Sequence, residues 1–215
     1  MNAVPGRFLT IEGIEGVGKS TQVTRLSTAL NERGIAHVVT REPGGTPLAE
    51  RIRAVLLDNV PDETMPPTAE LLLMFAARAV HLTNLVEPAL RAGRWVLCDR
   101  FIDATYAYQG GGRGLSADTI GQLETLVLGA RRPDLTLLLD APVEQALGRA
   151  RQRNAGAAAD RFESERAEFF ERVRDAYRAR AAAEPGRIAV VDASQSADRV
   201  AAQILELLRA RSWIS

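Results

Sequence analysis

Apolar residues gather in five short unbroken runs, and between the runs they recur every three or four positions. The runs are RFLTIEG (7–13), HVVTRE (37–42), WVLCDRF (95–101), LTLLLDA (135–141) and RIAVVDA (187–193). Continuous rather than alternating apolarity suits strands covered on both faces, so each run predicts a buried strand. The spaced sets predict amphipathic helices: Val23, Leu26, Leu30; Leu48, Ile52, Val55, Leu56; Leu71, Phe75, Leu82, Leu85, Val86; Ile120, Leu123, Val127; Phe169, Val173, Tyr177; and Val200, Ile204, Leu207. Strand and helix alternate throughout, which implies a parallel sheet with right-handed crossovers in a three-layer α/β domain. Ligands of such sheets gather at the carboxyl ends of the strands. Those ends here read Glu12-Gly13, Arg41-Glu42, Asp99-Arg100, Asp140 and Asp192.

Composition narrows the classes. At 215 residues and 46% hydrophobic the chain can bury one core, and residues 1–215 read as a single domain. The formal net charge is zero, so no global basic field attracts nucleic acid or a membrane surface. Cys98 is the one cysteine, which excludes an internal disulfide and favours a reduced, cytoplasmic setting. The two histidines, His37 and His81, are too few and too far apart for a cysteine/histidine metal site. No apolar run approaches the roughly 20 residues of a spanning helix, and the amino terminus lacks the pattern of a signal peptide. The stretch RNAGAAAD (153–160) reads as a mobile loop, flanked by Arg149, Arg151 and Arg161.

Within GIEGVGKS, residues Gly13, Gly18, Lys19 and Ser20 satisfy G-x-x-x-x-G-K-[ST] between a predicted strand and a predicted helix. Glycines let successive N–H groups turn inward, and the helix amino terminus adds partial positive charge, so Gly13, Ile14, Glu15, Gly16, Val17, Gly18, Lys19, Ser20 and Thr21 are expected to cradle the phosphates of a nucleoside triphosphate. Of the 27 basic residues all but Lys19 are arginine. A compact ammonium fits inside a phosphate-wrapped loop where a broad guanidinium does not. Ser20 is expected to bind Mg²⁺, with an acid at a strand end as its partner. Asp99 and Asp140 both end apolar strands, and the neighbouring Arg100, a bidentate phosphate holder, favours Asp99. An acid beside phosphates needs a partner, so Glu15 should face a hydroxyl, a cation or an arginine.

REPGGT (41–46), CDRF (98–101), YQGGGRG (108–114) and the arginine-flanked stretch near 149–161 follow GIEGVGKS in that order. Together they resemble the bacterial thymidylate kinase family, of the type with Gly16, not a basic residue, after the loop acid. The resemblance covers residues 7 to at least 195. It implies the phosphate-loop nucleoside monophosphate kinase fold with five parallel strands, transfer of a phosphoryl group from ATP·Mg²⁺ to dTMP, and a homodimer. By position it places the dTMP phosphate on Arg53 and Arg100, thymine against Phe75, a base carbonyl on Arg78, and the base edge on Thr105 and Gln109. Tyr108 stands where a ribose 2′-hydroxyl would go, and Glu15 with Glu42 floors the sugar. Here the phenylalanine lies three residues before the arginine, whereas many relatives space the pair by four, the position of Met74. Gly110, Gly111 and Gly112 read either as a loose loop or as a close backbone approach to a ligand. Because Gly16 supplies no cation, one of Arg149, Arg151, Arg153 and Arg161 is expected to close over ATP; Arg153 is the first choice, with Arg149 and Arg153 on one helix face. The catalytic set is then Lys19, Arg100, Arg153 and Glu15. Rivals are another nucleoside or nucleotide kinase, separated by its acceptor, and a regulatory nucleotide-binding module. A guanine-reading NKxD motif is impossible, since lysine occurs only at position 19.

Overall fold

The computed structural model describes residues 6–153, 161–162 and 165–215, with only the backbone of Arg153. Five strands, β1 (Phe8–Glu12), β2 (His37–Arg41), β3 (Trp95–Asp99), β4 (Leu135–Asp140) and β5 (Ile188–Asp192), form one parallel sheet in the order β2-β3-β1-β4-β5. Each lies inside one of the five apolar runs. Successive side chains of a strand point to opposite faces. Phe8, Val96 and Cys98 therefore enter one apolar core while Leu9, Ile11 and Leu97 enter the other.

Helices cover both faces: α1 (Lys19–Glu32), α2 (Pro47–Leu57), α3 (Pro67–His81), α4 (Glu87–Arg91), α5 (Ile102–Thr105), α6 (Ala117–Leu128), α7 (Val143–Arg153), α8 (Ala167–Ala183) and α9 (Ala197–Ala210). Two π-helical turns were not foreseen. One, Leu82–Val86, joins α3 to α4; the other, Tyr106–Gly112, extends α5. The continuous helix Pro67–Arg91 is long and apolar enough by length and composition to cross a membrane. Its Leu71, Phe75, Leu82 and Val86 are nevertheless buried in the core, with Glu70, Arg78 and His81 buried in polar networks, so it is a core helix.

Two readings change. Leu48 and Val55 are about half exposed; of the expected set Leu56 is buried, and Ala49, not expected, is buried with it. The glycine run is not a loose loop: two of its glycines approach a helix closely. A Cβ on Gly111 would stand 2.8 Å from the Arg172 carbonyl oxygen of α8, and one on Gly112 would meet the Phe169 ring at 2.5 Å. The glycines let the π turn lie directly against α8.

Candidate active site

The loop Gly13–Gly18 leaves the central strand β1 and enters α1, whose first residue is Lys19 and whose cap is Gly18. No side chain caps that helix end, so its amides stay available to an anion. Ile14 and Val17 are buried in the core and offer only backbone to the cavity. Gly16, at φ 77°, packs so tightly on α7 that a Cβ would fall 1.8 Å from the Ala146 carbonyl oxygen. A basic side chain has no room here, which is a physical reason for glycine after the loop acid. Lys19 is 8% exposed and donates to the carbonyls of Gly13 (3.1 Å) and Ile14 (2.9 Å). Burial, then Arg100, pulls its ammonium down to about 8, against the opposing pull of Asp99, Glu15 and Glu12.

Facing the loop across one cavity are Arg41, Arg53, Asp99 and Arg100, with Gly16, Gly18, Lys19, Ser20 and Thr21 on the near side. The choice between the two strand-end acids now has a geometric answer. Both Asp140 carboxylate oxygens are taken by Arg174, Oδ1 by Nε (2.7 Å) and Oδ2 by Nη2 (3.0 Å). Asp99 lines the cavity, and its buried Oδ1 has no hydrogen-bond partner among the described residues. Asp99 and the exposed Ser20 line one cavity, and such a pair of oxygen donors suits Mg²⁺, which takes one or two protein oxygens and fills the rest with phosphate and water.

Arg100 is the hub. Its backbone is left-handed, φ 69°, a conformation that costs a non-glycine residue on the order of 1–2 kcal/mol. Its Nη2 donates to Glu15 Oε1 (2.7 Å), and its Nη1 donates to the Gly13 carbonyl (2.9 Å) and the Tyr177 hydroxyl (3.3 Å). Its guanidinium also lies 4.8 Å from the Tyr108 ring centroid. Glu15 Oε2 accepts from the Tyr108 hydroxyl at 2.6 Å. Burial opposes ionisation of Glu15, but Arg100, Lys19 and Tyr108 outweigh it and hold the carboxyl below its ordinary range.

A second, more apolar cavity opens beside the first, and Glu15, Glu42, Arg53 and Arg100 line both. Its walls include Met74, Arg78, Phe101, Thr105, Tyr108 and Phe162. Phe75, expected at the base, is not among them. It is 2% exposed and turned into the core, with the Arg78 guanidinium 5.1 Å from its ring centroid. Met74 and Arg78, one i,i+4 pair, share the cavity side of α3. Gln109 is also corrected: it is fully buried, its Nε2 donates to Glu70 Oε1 (2.7 Å), and it lines neither cavity.

Arg78 is 2% exposed and donates from Nε to Glu42 Oε2 (2.7 Å) and from Nη2 to Thr105 Oγ1 (2.9 Å) and the Phe101 carbonyl (3.0 Å). Its buried Nη1 has no partner among the described residues. Glu42 Oε1 lies 2.9 Å from His81 Nδ1, and His81 Nε2 lies 2.8 Å from Thr40 Oγ1. Glu42 therefore sets Arg78 while lining both cavities. Arg53 donates to the Pro43 carbonyl at 2.9 Å.

The arginines expected over ATP scatter. Arg149 holds the carbonyls of Ala193 (2.9 Å) and Ser194 (3.4 Å) and lines neither cavity. Arg161 binds buried Glu70 (2.6 Å), which also takes Arg113, and the Leu56 carbonyl (3.0 Å). Arg151 is exposed. The Arg153 side chain and the segment 154–160 lie outside the described residues. Glu12, Glu70, His81 and Tyr177 were missed as site residues, because each sits within an apolar run or helix face that reads as core.

A phosphate loop at the end of a central parallel strand, sharing arginines with an adjoining apolar pocket, defines a phosphate-loop nucleotide kinase acting on a small phosphorylated acceptor. The thymidylate kinase family model matches residues 11–204. The chain is 58% identical over 211 residues to the thymidylate kinase of Chromohalobacter salexigens, covering 97% of this chain and 99% of that one. It is 55% identical to that of Alkalilimnicola ehrlichii, covering 98% and 96%. The crystal structure of thymidylate kinase from Ehrlichia chaffeensis matches with a TM-score of 0.75 at 33% identity, over 95% of this chain and 99% of that one. The chain belongs to the thymidylate kinase family.

Proposed function

We infer that this protein transfers the γ-phosphoryl group of ATP to dTMP, giving dTDP, in the cytosol. The observation that carries the reading is the junction of the two cavities at Glu15, Arg53 and Arg100. The triphosphate lies in the loop and the acceptor phosphate meets it on the two arginines. Phosphoryl transfer needs alignment and charge neutralisation more than covalent help. Lys19 and the α1 amino terminus meet the donor phosphates, Arg53 and Arg100 hold the acceptor, and Glu15 fixes Arg100 at the junction. Ser20 and Asp99 would hold Mg²⁺, which would supply positive charge against the phosphates. In the acceptor pocket Arg78, whose Nη1 has no partner among the described residues, would read a base carbonyl, Met74 and Phe101 would cover the ring, and Tyr108, its hydroxyl tied to Glu15, would crowd the 2′ position.

Purified protein with ATP and Mg²⁺, offered each monophosphate in turn, is expected to release ADP with dTMP at a kcat/KM at least tenfold above that with ribothymidine monophosphate, and far above that with cytidine or purine monophosphates. Equal turnover of all acceptors would overturn the assignment.

We infer also a homodimer. Leu48 and Val55 of α2, Leu72 of α3 and Leu126 of α6 are 53–79% exposed on helices that pack side by side. Large apolar side chains grouped on one surface mark an interface. Light scattering should give twice the chain mass, and the double variant Leu72→Glu, Leu126→Glu should give the chain mass. A monomeric wild type would refute this.

A further inference from the structure

Glu12 ends β1 and is fully buried, yet the phosphoryl-transfer reading assigns it nothing. Each of its oxygens holds one proton donor. Oε1 accepts from the Phe101 N–H at 2.7 Å, directly after the left-handed backbone of Arg100. Oε2 accepts from the Tyr177 hydroxyl at 2.7 Å, and the same phenol oxygen accepts from Arg100 Nη1 at 3.3 Å. The carboxylate therefore reaches both ends of Arg100 indirectly, its backbone turn through the Phe101 N–H and its guanidinium through the Tyr177 phenol. Of the five N–H donors of that guanidinium, three contacts are committed to Gly13, Tyr177 and Glu15, which leaves two for an acceptor phosphate.

We propose that Glu12 and Tyr177 are positioning residues for Arg100, in which the carboxylate draws the phenol proton to itself and so turns a phenol lone pair toward the guanidinium. The proposal rests on the reading of Arg100 as a holder of the dTMP phosphate. A phenol O–H has two favoured in-plane directions. With Glu12 ionised, the proton points at Oε2 and the oxygen is open to Arg100. With Glu12 protonated, the acid becomes the donor, the phenol proton swings toward Arg100 Nη1, and one of the three anchors turns repulsive. Arg100 then wanders from the geometry that aligns the acceptor.

The environment of Glu12 places that change near neutrality. Burial first, and then the negative charge of Asp103 on α5, push its carboxyl from 4.5 up to about 7, against Tyr177 of α8, Arg100 and the Phe101 N–H. The other charged or titratable neighbours are Lys19 of α1 and Cys98 of β3. Asp103 keeps its charge, since Arg187 (2.7 Å) and Arg180 (3.0 Å) hold its carboxylate. The sign follows. Activity that depends on ionised Glu12 rises as pH rises through about 7. Stability runs the other way: a carboxyl whose pKa is higher folded than unfolded favours the folded state at low pH, and that contribution is lost as pH climbs from about 4.5 to about 7.

Glu12→Gln keeps the shape and fixes the neutral state, its amide donating to Tyr177. The measurement is kcat/KM for dTMP at saturating ATP, wild type against Glu12→Gln, from about pH 5.5 to 8.5, with ionisation of dTMP itself cancelling in the ratio. The expected ratio of kcat/KM is near one at the acid end and about tenfold at the alkaline end, on the scale of one charge-assisted hydrogen bond. Glu12→Gln should also melt several degrees above wild type at pH 8.5 and level with it near pH 4.5. Tyr177→Phe removes the relay and should lose the same factor at alkaline pH, and the double variant should be no worse than either single one. If Glu12→Gln does not fold, the pH profile of Tyr177→Phe against wild type carries the test alone. A wild-type to variant ratio that stays flat with pH, or losses that add in the double variant, would overturn the proposal. Arg100→Met separates the two levels: an unchanged KM for dTMP in that variant refutes the phosphate-holding reading itself, whereas a raised KM with flat Glu12 and Tyr177 profiles refutes only the relay.

Discussion

Lys19→Met is expected to lower kcat by on the order of 10²-fold or more while leaving the fold intact, because it removes the one compact cation within the phosphate loop. The ammonium lies inside the loop, bonded to the Gly13 and Ile14 carbonyls, and burial has already weakened its hold on its proton. A triphosphate arriving in the cavity supplies the negative charge this cation lacks. The charge that moves during transfer is thus met by a group already in place. Lys19→Arg should not rescue: at 8% exposure between two carbonyls there is no room for a planar fork, although 26 other sites (27 basic residues less this one) use arginine. The stability of Lys19→Met should match wild type or exceed it, since a buried cation is removed and Arg100 still pairs with Glu15. An amine-acylating reagent reads the same position chemically, and ATP should protect this one side chain. A Lys19→Met enzyme within about threefold of wild-type kcat would refute the role.

The sheet was legible because its rule is local. The inner strands β1, β3 and β4 are buried on both faces and so apolar almost throughout. The edge strands β2 and β5, expected to be buried, are partly exposed at Val39 (50%) and Val190 (54%) and were located by their β-branched residues all the same. The phosphate loop was legible for a similar reason, since its residues are contiguous. Much of the polar scaffold was not. Glu12 meets Tyr177 across 165 positions, and Glu42 meets His81 across 39. No spacing rule joins such partners, and Tyr177 at a helical apolar interval is indistinguishable from core until the fold brings it to an acid. Phe75 shows the opposite failure. Resemblance put an aromatic ring on the thymine, but a shift of one residue along α3 is a rotation of about 100°, enough to turn Phe75 into the core and present Met74. The π turn at Tyr106–Gly112 was hidden because its glycines serve contact with α8, which sequence order separates from them.

The second large effect falls on Arg78, where recognition and stability share one side chain. Arg78→Met deletes the donor to Thr105 and the unpaired Nη1 proposed to read the base, and it leaves Glu42 buried at 4% exposure with only His81 beside it. Breaking one side of a buried ion pair costs about 3–5 kcal/mol. For a chain of this size each kcal/mol moves Tm by roughly 2–4 °C, so a fall of about 10 °C is expected. Sites built to hydrogen-bond a ligand reject it by large factors once the partner is gone, so kcat/KM for dTMP should fall by on the order of 10²-fold. Lost packing alone would give the first effect without the second, and a compensating variant separates them. In Glu42→Gln, Arg78→Met the carboxylate no longer needs a cation, so much of the lost Tm should return. Nothing in that change restores a donor to the base, so the KM for dTMP should stay as high as in Arg78→Met. A double variant that regained dTMP affinity along with its stability would show that Arg78 holds the pocket together and does not read the base.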